Sequence, residues 1–340
     1  MGFLTIFSKL ANNSNDTLTG VRAGFIGKIP ARADFVQHHA SAVEIKQLDQ
    51  WMHEGIAYLA RRFPVDWKER LERFNQIRCY VAGEGATPAL CGVIRPSQDK
   101  SGRHFPFMEF ATSPYTPMTQ SLPFVALQFA DFYTKGGRLK RRDGSDLDID
   151  SLVQQSDSLC RLVPPFSESK LVHQRNKIWA DKNNAEFWEY IMPGTSQIQR
   201  LNFARDVMQT LKMAANRGPE RIAWGVRLPL AHGAANNALV SFWLNLFVCL
   251  LGQYKCRPHV FWNPENKGAS ALTMYFRSPN ASSFAQLICP EVDEGGVVDV
   301  LRRPLENLPE ITNLHLKEIV ESNKLTWPEM LEKWTKGVGA

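Results

Sequence analysis

The sequence predicts a mixed α/β protein, in which a mixed β-sheet is sandwiched by helices in two consecutive α/β modules. The order strand, helix, hairpin, helix can be read once in each half of the chain, which suggests an ancient duplication. Of the 340 residues, 44% are hydrophobic and 22% are charged, which is typical of a folded chain with a substantial core. We expect a flexible leader at 1–20, an α/β domain at 21–145 and a second α/β module at 146–340.

The first half alternates strand-like and helix-like patterns. The predicted strands are 21–29, 77–82, 89–94 and 104–112, and the last two form a hairpin around a turn at 96–102. Ser41 and Glu44 have the spacing of a capping box, and the apolar residues that follow have helical spacing. A second helix is predicted at 121–135, where Gly136 and Gly137 end it.

The second half repeats this order after a linker at 138–150. The predicted helices are 198–215, 234–251, one beginning at 284 and two short C-terminal ones, and the predicted strands are 222–228, 259–262 and 272–276. Thr326 and Glu329 form a second candidate capping box. The longest apolar run, 238–251, is shorter than the ~20 residues of a membrane span, so we expect a buried helix there.

The charge pattern argues against a nucleic-acid binder. The net charge is only +6, and one basic cluster stands out: Lys135, Arg138, Lys140, Arg141 and Arg142. Four aspartates follow at 143, 146, 148 and 150, so the cluster is partly neutralised. We interpret this charged region first as a solvated linker and second as a binding site for an acidic partner.

Cysteine spacing and the N-terminus indicate a cytoplasmic protein. None of the six cysteines forms a C-x-x-C pair, which argues against a zinc knuckle or redox motif and fits reduced cytosol. The apolar residues between Phe3 and Leu10 lack the basic region and cleavage site of a signal peptide. They could rest on a membrane surface or, in the preferred interpretation, cover a groove on the protein's own core.

Motifs for catalysis, cofactors and metals do not emerge from the sequence. The stretch 24–28 (G-F-I-G-K) lacks the spacing and the Ser or Thr of a phosphate loop, and Pro30 interrupts the helix such a loop requires. His38 and His39 are adjacent, and neighbouring side chains in a strand or loop are expected to point apart, so we predict that they are poor joint metal ligands. We therefore expect no catalytic, cofactor-binding or metal-binding residues. A hydrolase that uses Asp34 or His104 remains the less favoured alternative.

Two dense polar segments stand out instead, at 27–35 and 95–106. The candidate residues are Gly27, Lys28, Pro30, Arg32, Asp34, Phe35, Pro96, Ser97, Asp99, Gly102, Arg103, Phe105 and Pro106. Turn chemistry explains many of them, and Arg32 or Arg103 could pair with Asp34 or Asp99 to hold the two loops together. Loops also carry recognition, so a partner surface is the sharper hypothesis. In it, Lys28, Arg32 and Arg103 supply positive charge and Phe35 and Phe105 supply apolar anchors.

These segments carry a resemblance to a known family. The run G-F-I-G-K-I-P-A-R-A-D-F at 24–35 resembles the N-terminal signature of the TagF family, with Ile29 in place of Leu and Ala33 in place of Gly. The run P-S-Q-D-K-S-G-R-H-F-P at 96–106 resembles its second signature. The similarity extends over about 22–140. Segments 261–266 and 278–288 more loosely resemble the C-terminal extension of longer members.

The resemblance implies a cytosolic, post-translational repressor of bacterial type VI secretion. It implies an α/β sandwich that is not an enzyme and that binds the forkhead-associated scaffold protein of the system. A structural or assembly adaptor of the same machine is the alternative. Neither nucleic acid nor stable membrane insertion is expected, although the N-terminus could make peripheral membrane contact.

Overall fold

A computed structural model describes residues 20–83, 89–113, 118–231, 235–252, 254, 256–263, 270–292, 295–302 and 314–336. The strands are β1 (Arg22–Gly27), β2 (Val36–His38), β3 (Ile77–Val81), β4 (Ala89–Arg95), β5 (Phe107–Ser113), β6 (Gly225–Pro229), β7 (His259–Trp262), β8 (Ala271–Tyr275) and β9 (Val297–Asp299). The predicted leader, with Phe3 to Leu10, lies outside the described residues, as do residues 264–269 between the predicted strands 259–262 and 272–276.

Helices account for most of the remaining described chain. They are α1 (Val43–Arg62), α2 (Trp67–Arg73), α3 (Met118–Ser121), α4 (Val125–Gln128), α5 (Ala130–Lys135), α6 (Ile149–Cys160), α7 (Glu168–Trp179), α8 (Asn184–Ile191), α9 (Gln197–Arg217), α10 (Ala235–Leu251), α11 (Ala281–Ile288), α12 (Leu314–Glu321) and α13 (Trp327–Lys336). Short 3-10 turns occupy Leu122–Phe124 and Pro219–Arg221. No helix in the described part of the chain is long and apolar enough to cross a membrane.

The described strands form one mixed sheet in the order β2-β1-β5-β4-β3-β7-β8-β6-β9. Strand β3 lies at its centre and pairs antiparallel with β4 on one side and with β7 on the other. The only parallel pair among the described strands joins β6 to β9. Strands from both halves of the sequence therefore share one hydrogen-bonded sheet, and the predicted mixed α/β class is confirmed.

Helices cover both faces of this sheet. Helices α1, α2 and α11 pack on one face, where Cys79 and Val81 of β3 contribute to the core. The other described helices from α5 to α13, apart from α11, pack on the opposite face, where Tyr80 points. Side chains alternate between faces along a strand, so a strand covered on both sides buries all of its side chains. All five residues of β3 are buried for this reason.

Several predicted elements need correction. Ser41 and Glu44 do not cap α1, because the helix begins at Val43 with Ala42 as its N-cap and no side-chain cap. The helix predicted at 121–135 is divided into short pieces, since Pro123 lies in a 3-10 turn and cannot donate a helical hydrogen bond. At the C-terminus, the Glu329 carboxylate accepts hydrogen bonds from the backbone N–H and hydroxyl of Thr326.

The region after residue 137 is more ordered than a solvated linker. The Arg141 guanidinium donates to Asp148 at 3.0 Å and to the carbonyl of Asp146 at 2.8 Å, and Asp148 caps α6 through the backbone N–H of Ser151. Helices α6, α7 and α8, which the sequence analysis did not predict, follow directly. Helix α6 packs against β1 and so covers the same face of the sheet as α10.

Candidate interaction site

The two polar segments lie side by side at one end of the sheet. The first loop (27–35) continues from β1, and the second loop (95–106) joins β4 to β5. Strands β1 and β5 pair antiparallel, with Gly27 opposite Phe107, so the end of β1 meets the beginning of β5. The backbone N–H of Lys100 donates to the carbonyl of Arg32 at 2.8 Å, and the Ser97 hydroxyl donates to the carbonyl of Lys28 at 2.7 Å. These contacts hold the loops together as one surface.

Asp99 is the centre of this arrangement. Its buried carboxylate accepts hydrogen bonds from Lys28 Nζ at 2.9 Å and from Arg103 Nε at 2.7 Å. The backbone N–H groups of Ser101 and Arg103 donate to its other oxygen at 2.9 and 3.0 Å. Burial alone would raise the pKa of Asp99, but these donors, with the Arg103 backbone first, hold that pKa well below its usual value. A charged, fully hydrogen-bonded carboxylate therefore joins the two loops.

Arg103 reaches from the second loop to the first. One of its Nη atoms donates to the carbonyl of Ala33, and the same atom is 4.0 Å from Asp34. The Asp34 side chain is 99% exposed, so this ion pair is weak compared with the contact to Asp99. Arg32 is exposed and forms no ion pair with any carboxylate in the described ranges.

Glycine is required where the first loop leaves β1. Gly27 has φ of +132°, and a Cβ there would lie 2.2 Å from the carbonyl oxygen of Pro106. In the second loop, Gly102 has φ of +77°, and its N–H donates to the carbonyl of Asp99 at 2.9 Å. Glycine tolerates both conformations without steric cost, so the motif glycines are explained by the backbone.

An aromatic cluster supports the outer side of the first loop. Phe35 is 48% exposed and packs on Phe105 and His53, with ring centroids 4.9 and 5.3 Å away. Lys28 Nζ lies 5.0 Å from the Phe35 ring centroid, within the range of a cation–π contact. His53 projects from α1, and no motif in the sequence singled it out. Phe35 is thus a supported aromatic ring that remains accessible.

The candidate residues fall into accessible and inaccessible groups. Gly27, Lys28, Asp99, Phe105 and Pro106 are buried, Pro30, Pro96 and Ser97 are half-buried, and Arg32, Asp34, Phe35, Gly102 and Arg103 are exposed. Two expectations change as a result. Lys28 cannot supply surface charge because it is paired with Asp99, and Phe105 cannot be an anchor because it lies beneath Phe35. Among the candidate residues, the accessible positive charge comes from Arg32 and Arg103.

His104 lies beside the site in a structural role. Its Nε2 is 2.6 Å from Glu72 Oε1, and its ring meets that of Trp67 edge-on with centroids 6.1 Å apart. These contacts tie the second loop to α2.

The fold and the site define a mixed α/β protein in which two polar loops form one rigid surface. Residues 24–143 match the family model described as the TagF N-terminal domain, type VI secretion system-associated. The chain therefore contains a TagF N-terminal domain, as the two signature segments indicated.

Other comparisons give distant similarity. The crystal structure of PA0076 from Pseudomonas aeruginosa PAO1 is similar over 80% of this chain and 96% of that chain, with 16% identity and a TM-score of 0.39. At that score the likeness carries no structural argument. No curated protein matches the chain.

Proposed function

We propose that this protein is a non-enzymatic, post-translational negative regulator of type VI secretion that acts in the cytoplasm by binding the forkhead-associated scaffold protein. The observation that supports the proposal is the rigid surface of the two TagF signature loops, joined through Asp99. A preformed surface loses little conformational freedom on binding, which favours a binding role.

The exposed residues suggest how the surface binds. Phe35 is held by the rings of Phe105 and His53, so it can enter a partner's pocket without first being ordered. Arg32 and Arg103 flank it and suit an acidic patch on the scaffold protein. Their charges mainly affect encounter rate and specificity, so binding should weaken with salt.

A deletion separates the repressor from the alternative adaptor. Loss of a repressor raises type VI secretion, whereas loss of an assembly component abolishes it. We expect secretion of a system effector to increase in the deletion strain and to return to its starting level when the full chain is expressed. Abolished secretion would favour the adaptor.

A pull-down with the full chain tests the surface. The double variant Phe35→Ala/Arg32→Glu should capture at least about tenfold less scaffold protein, since it removes an aromatic anchor and reverses a nearby charge. The control Ile198→Ala/Arg161→Glu also removes one exposed large apolar side chain and reverses one arginine charge, at positions on α9 and after α6. Thermal melting checks that both variants fold. Wild-type capture by the first variant would place the interface elsewhere.

A further inference from the structure

A cleft of about 630 Å³ opens next to the second loop. Its walls are the end of α2 with the chain that follows it (71–75), the end of β4 with the beginning of the second loop (95–98), and the chain that follows α5 (137–140). Pro30 and His104 complete it. A cleft of this size is within the range of ligand-binding pockets in proteins.

The lining of this cleft is strongly basic. Arg73, Arg95, Arg138 and Lys140 line it, and Glu72 is the one acidic residue among its described lining residues. The Glu72 carboxylate is already engaged by His104. Arg138 and Lys140 are exposed, and no carboxylate in the described ranges pairs with either of them. The cleft thus has cationic groups available for a ligand.

The wall that carries Arg138 and Lys140 is fixed in position. Gly137 has φ of +72°, and a Cβ there would lie 2.9 Å from Arg95 Nε, so glycine lets the guanidinium lie against the backbone. One Nη of Arg95 donates to Gln76. Behind the wall, the N–H of Gly137 donates to the buried carboxylate of Glu109 at 2.7 Å. Because the backbone of this wall is fixed, only the side chains of Arg138 and Lys140 lose conformational freedom when an anion binds.

We propose that this cleft binds an acidic peptide segment of a protein partner. Guanidinium and ammonium groups donate charge-assisted hydrogen bonds to carboxylate and phosphoryl oxygens, and clusters of arginine are a recurring device for reading acidic motifs. The cleft adjoins the loop surface through Pro96 and Ser97, so one partner can occupy both. In this respect the inference rests on the proposed function and deepens it, because it assigns an acidic segment to the partner.

The assay is fluorescence anisotropy with the full chain and a fluorescein-labelled deca-glutamate peptide. The variant Arg138→Glu/Lys140→Glu should weaken binding by about tenfold or more, since two charge-assisted contacts are lost. The variant Lys135→Glu/Arg142→Glu is the matched control. It changes the net charge equally within the same basic cluster, but neither residue lines the cleft, and binding should fall less than about threefold.

Three results would overturn the inference: no binding by the wild type, equal loss in both variants, or tighter binding of deca-uridylate RNA with the same dependence on Arg138 and Lys140. A phosphorylated threonine-rich peptide, with its unphosphorylated form as the neutral control, tests whether the cleft also binds phosphoryl groups. Cleft-dependent binding of deca-glutamate or of the phosphorylated peptide supports the inference. The assay contains no scaffold protein. If the pull-down fails, the result of the peptide assay still stands. If the peptide assay fails, the proposed binding of the scaffold protein is not refuted.

Discussion

Replacing Glu109 by glutamine should change how stability depends on pH. Glu109 lies in the middle of β5 and is 0% exposed. Its Oε2 accepts hydrogen bonds from Gly137 N at 2.7 Å and from Gln155 Nε2 at 3.0 Å, while Oε1 has no hydrogen-bond partner among the described residues. Burial raises the pKa of Glu109 from 4.5 to about 7, and these hydrogen bonds and the charge of Arg95 oppose that rise only in part.

The direction in which the free energy of unfolding changes with pH depends on whether the folded or the unfolded state holds the Glu109 proton. Between pH 4.5 and about 7 the folded protein keeps the Glu109 proton and the unfolded chain has lost it, so the free energy of unfolding falls as the pH rises. Below this window both states are protonated, and above it both are ionised. A difference of one pKa unit corresponds to about 1.4 kcal/mol, so the shift from 4.5 to about 7 amounts to about 3 kcal/mol.

Urea unfolding at intervals from pH 4.5 to 8 measures this effect. Glutamine remains neutral, so the unfolding free energy of Glu109→Gln minus that of the wild type should increase by about 3 kcal/mol across the window. A constant offset from the altered hydrogen bonding does not affect the slope. Glu54→Gln, at an exposed position on α1, controls for the loss of one carboxylate. Parallel curves for Glu109→Gln and wild type would refute the raised pKa.

Two further substitutions test the packing. Gly27→Ala should lower the free energy of unfolding by about 1–3 kcal/mol or more, because it adds backbone strain and a clash with Pro106; thermal melting measures the loss. Gly144→Ala, where φ is +86° in open space, should cost less, and an equal loss would contradict the clash. Trp334→Ala should cost about 3–5 kcal/mol in urea unfolding, because the side chain is fully buried, whereas Leu314→Ala at an exposed position should have little effect. A small loss for Trp334→Ala would mean that α13 is not part of the core.

Sequence patterns predicted the strands better than the helices. Strands β3, β4, β7 and β8 form near their predicted limits, because each is a short run of apolar residues bounded by turn residues or a break in the pattern. Helices α6 and α7 were missed because their apolar residues are sparse, and α8 because it spans only eight residues. In α7, for instance, only Leu171 and Trp179 are buried, so the helical period is weak. Tertiary packing, on β1 for α6 and on α4 and α10 for α7, accounts for these helices better than local pattern does.

The candidate site was predictable in composition but not in geometry. Two loops rich in Gly, Pro, Arg and Asp can be found by inspection, but the pairing of Lys28 with Asp99 joins positions 71 residues apart. That contact depends on the register of β1 against β5, which inspection of local sequence patterns does not reveal. Glu109 did leave a signal, since a lone carboxylate inside the apolar run of β5 must be buried if both faces of the sheet are covered.

The strand order is symmetric about the central strand β3. From β3 outward, β4, β5 and β1 lie on one side and β7, β8 and β6 on the other, with matching directions. Helix α1, which follows β1 and β2, packs with α11 on one face. Helix α10, which follows β6, packs with α4 on the opposite face. This is the arrangement produced by a twofold rotation about β3, and it extends the duplication hypothesis from element order to topology.

Each half of the chain depends on the other for its packing, because the two halves share one sheet. The TagF N-terminal domain match ends at 143, but its strand β3 pairs with β7, and its helix α1 packs on α11. A chain ending near residue 145 would leave one side of β3 unpaired and uncover the apolar face of α1, which includes Trp51 packed on Phe284. Because an unpaired central strand favours aggregation, the binding proposed for the signature loops is best measured in the full chain.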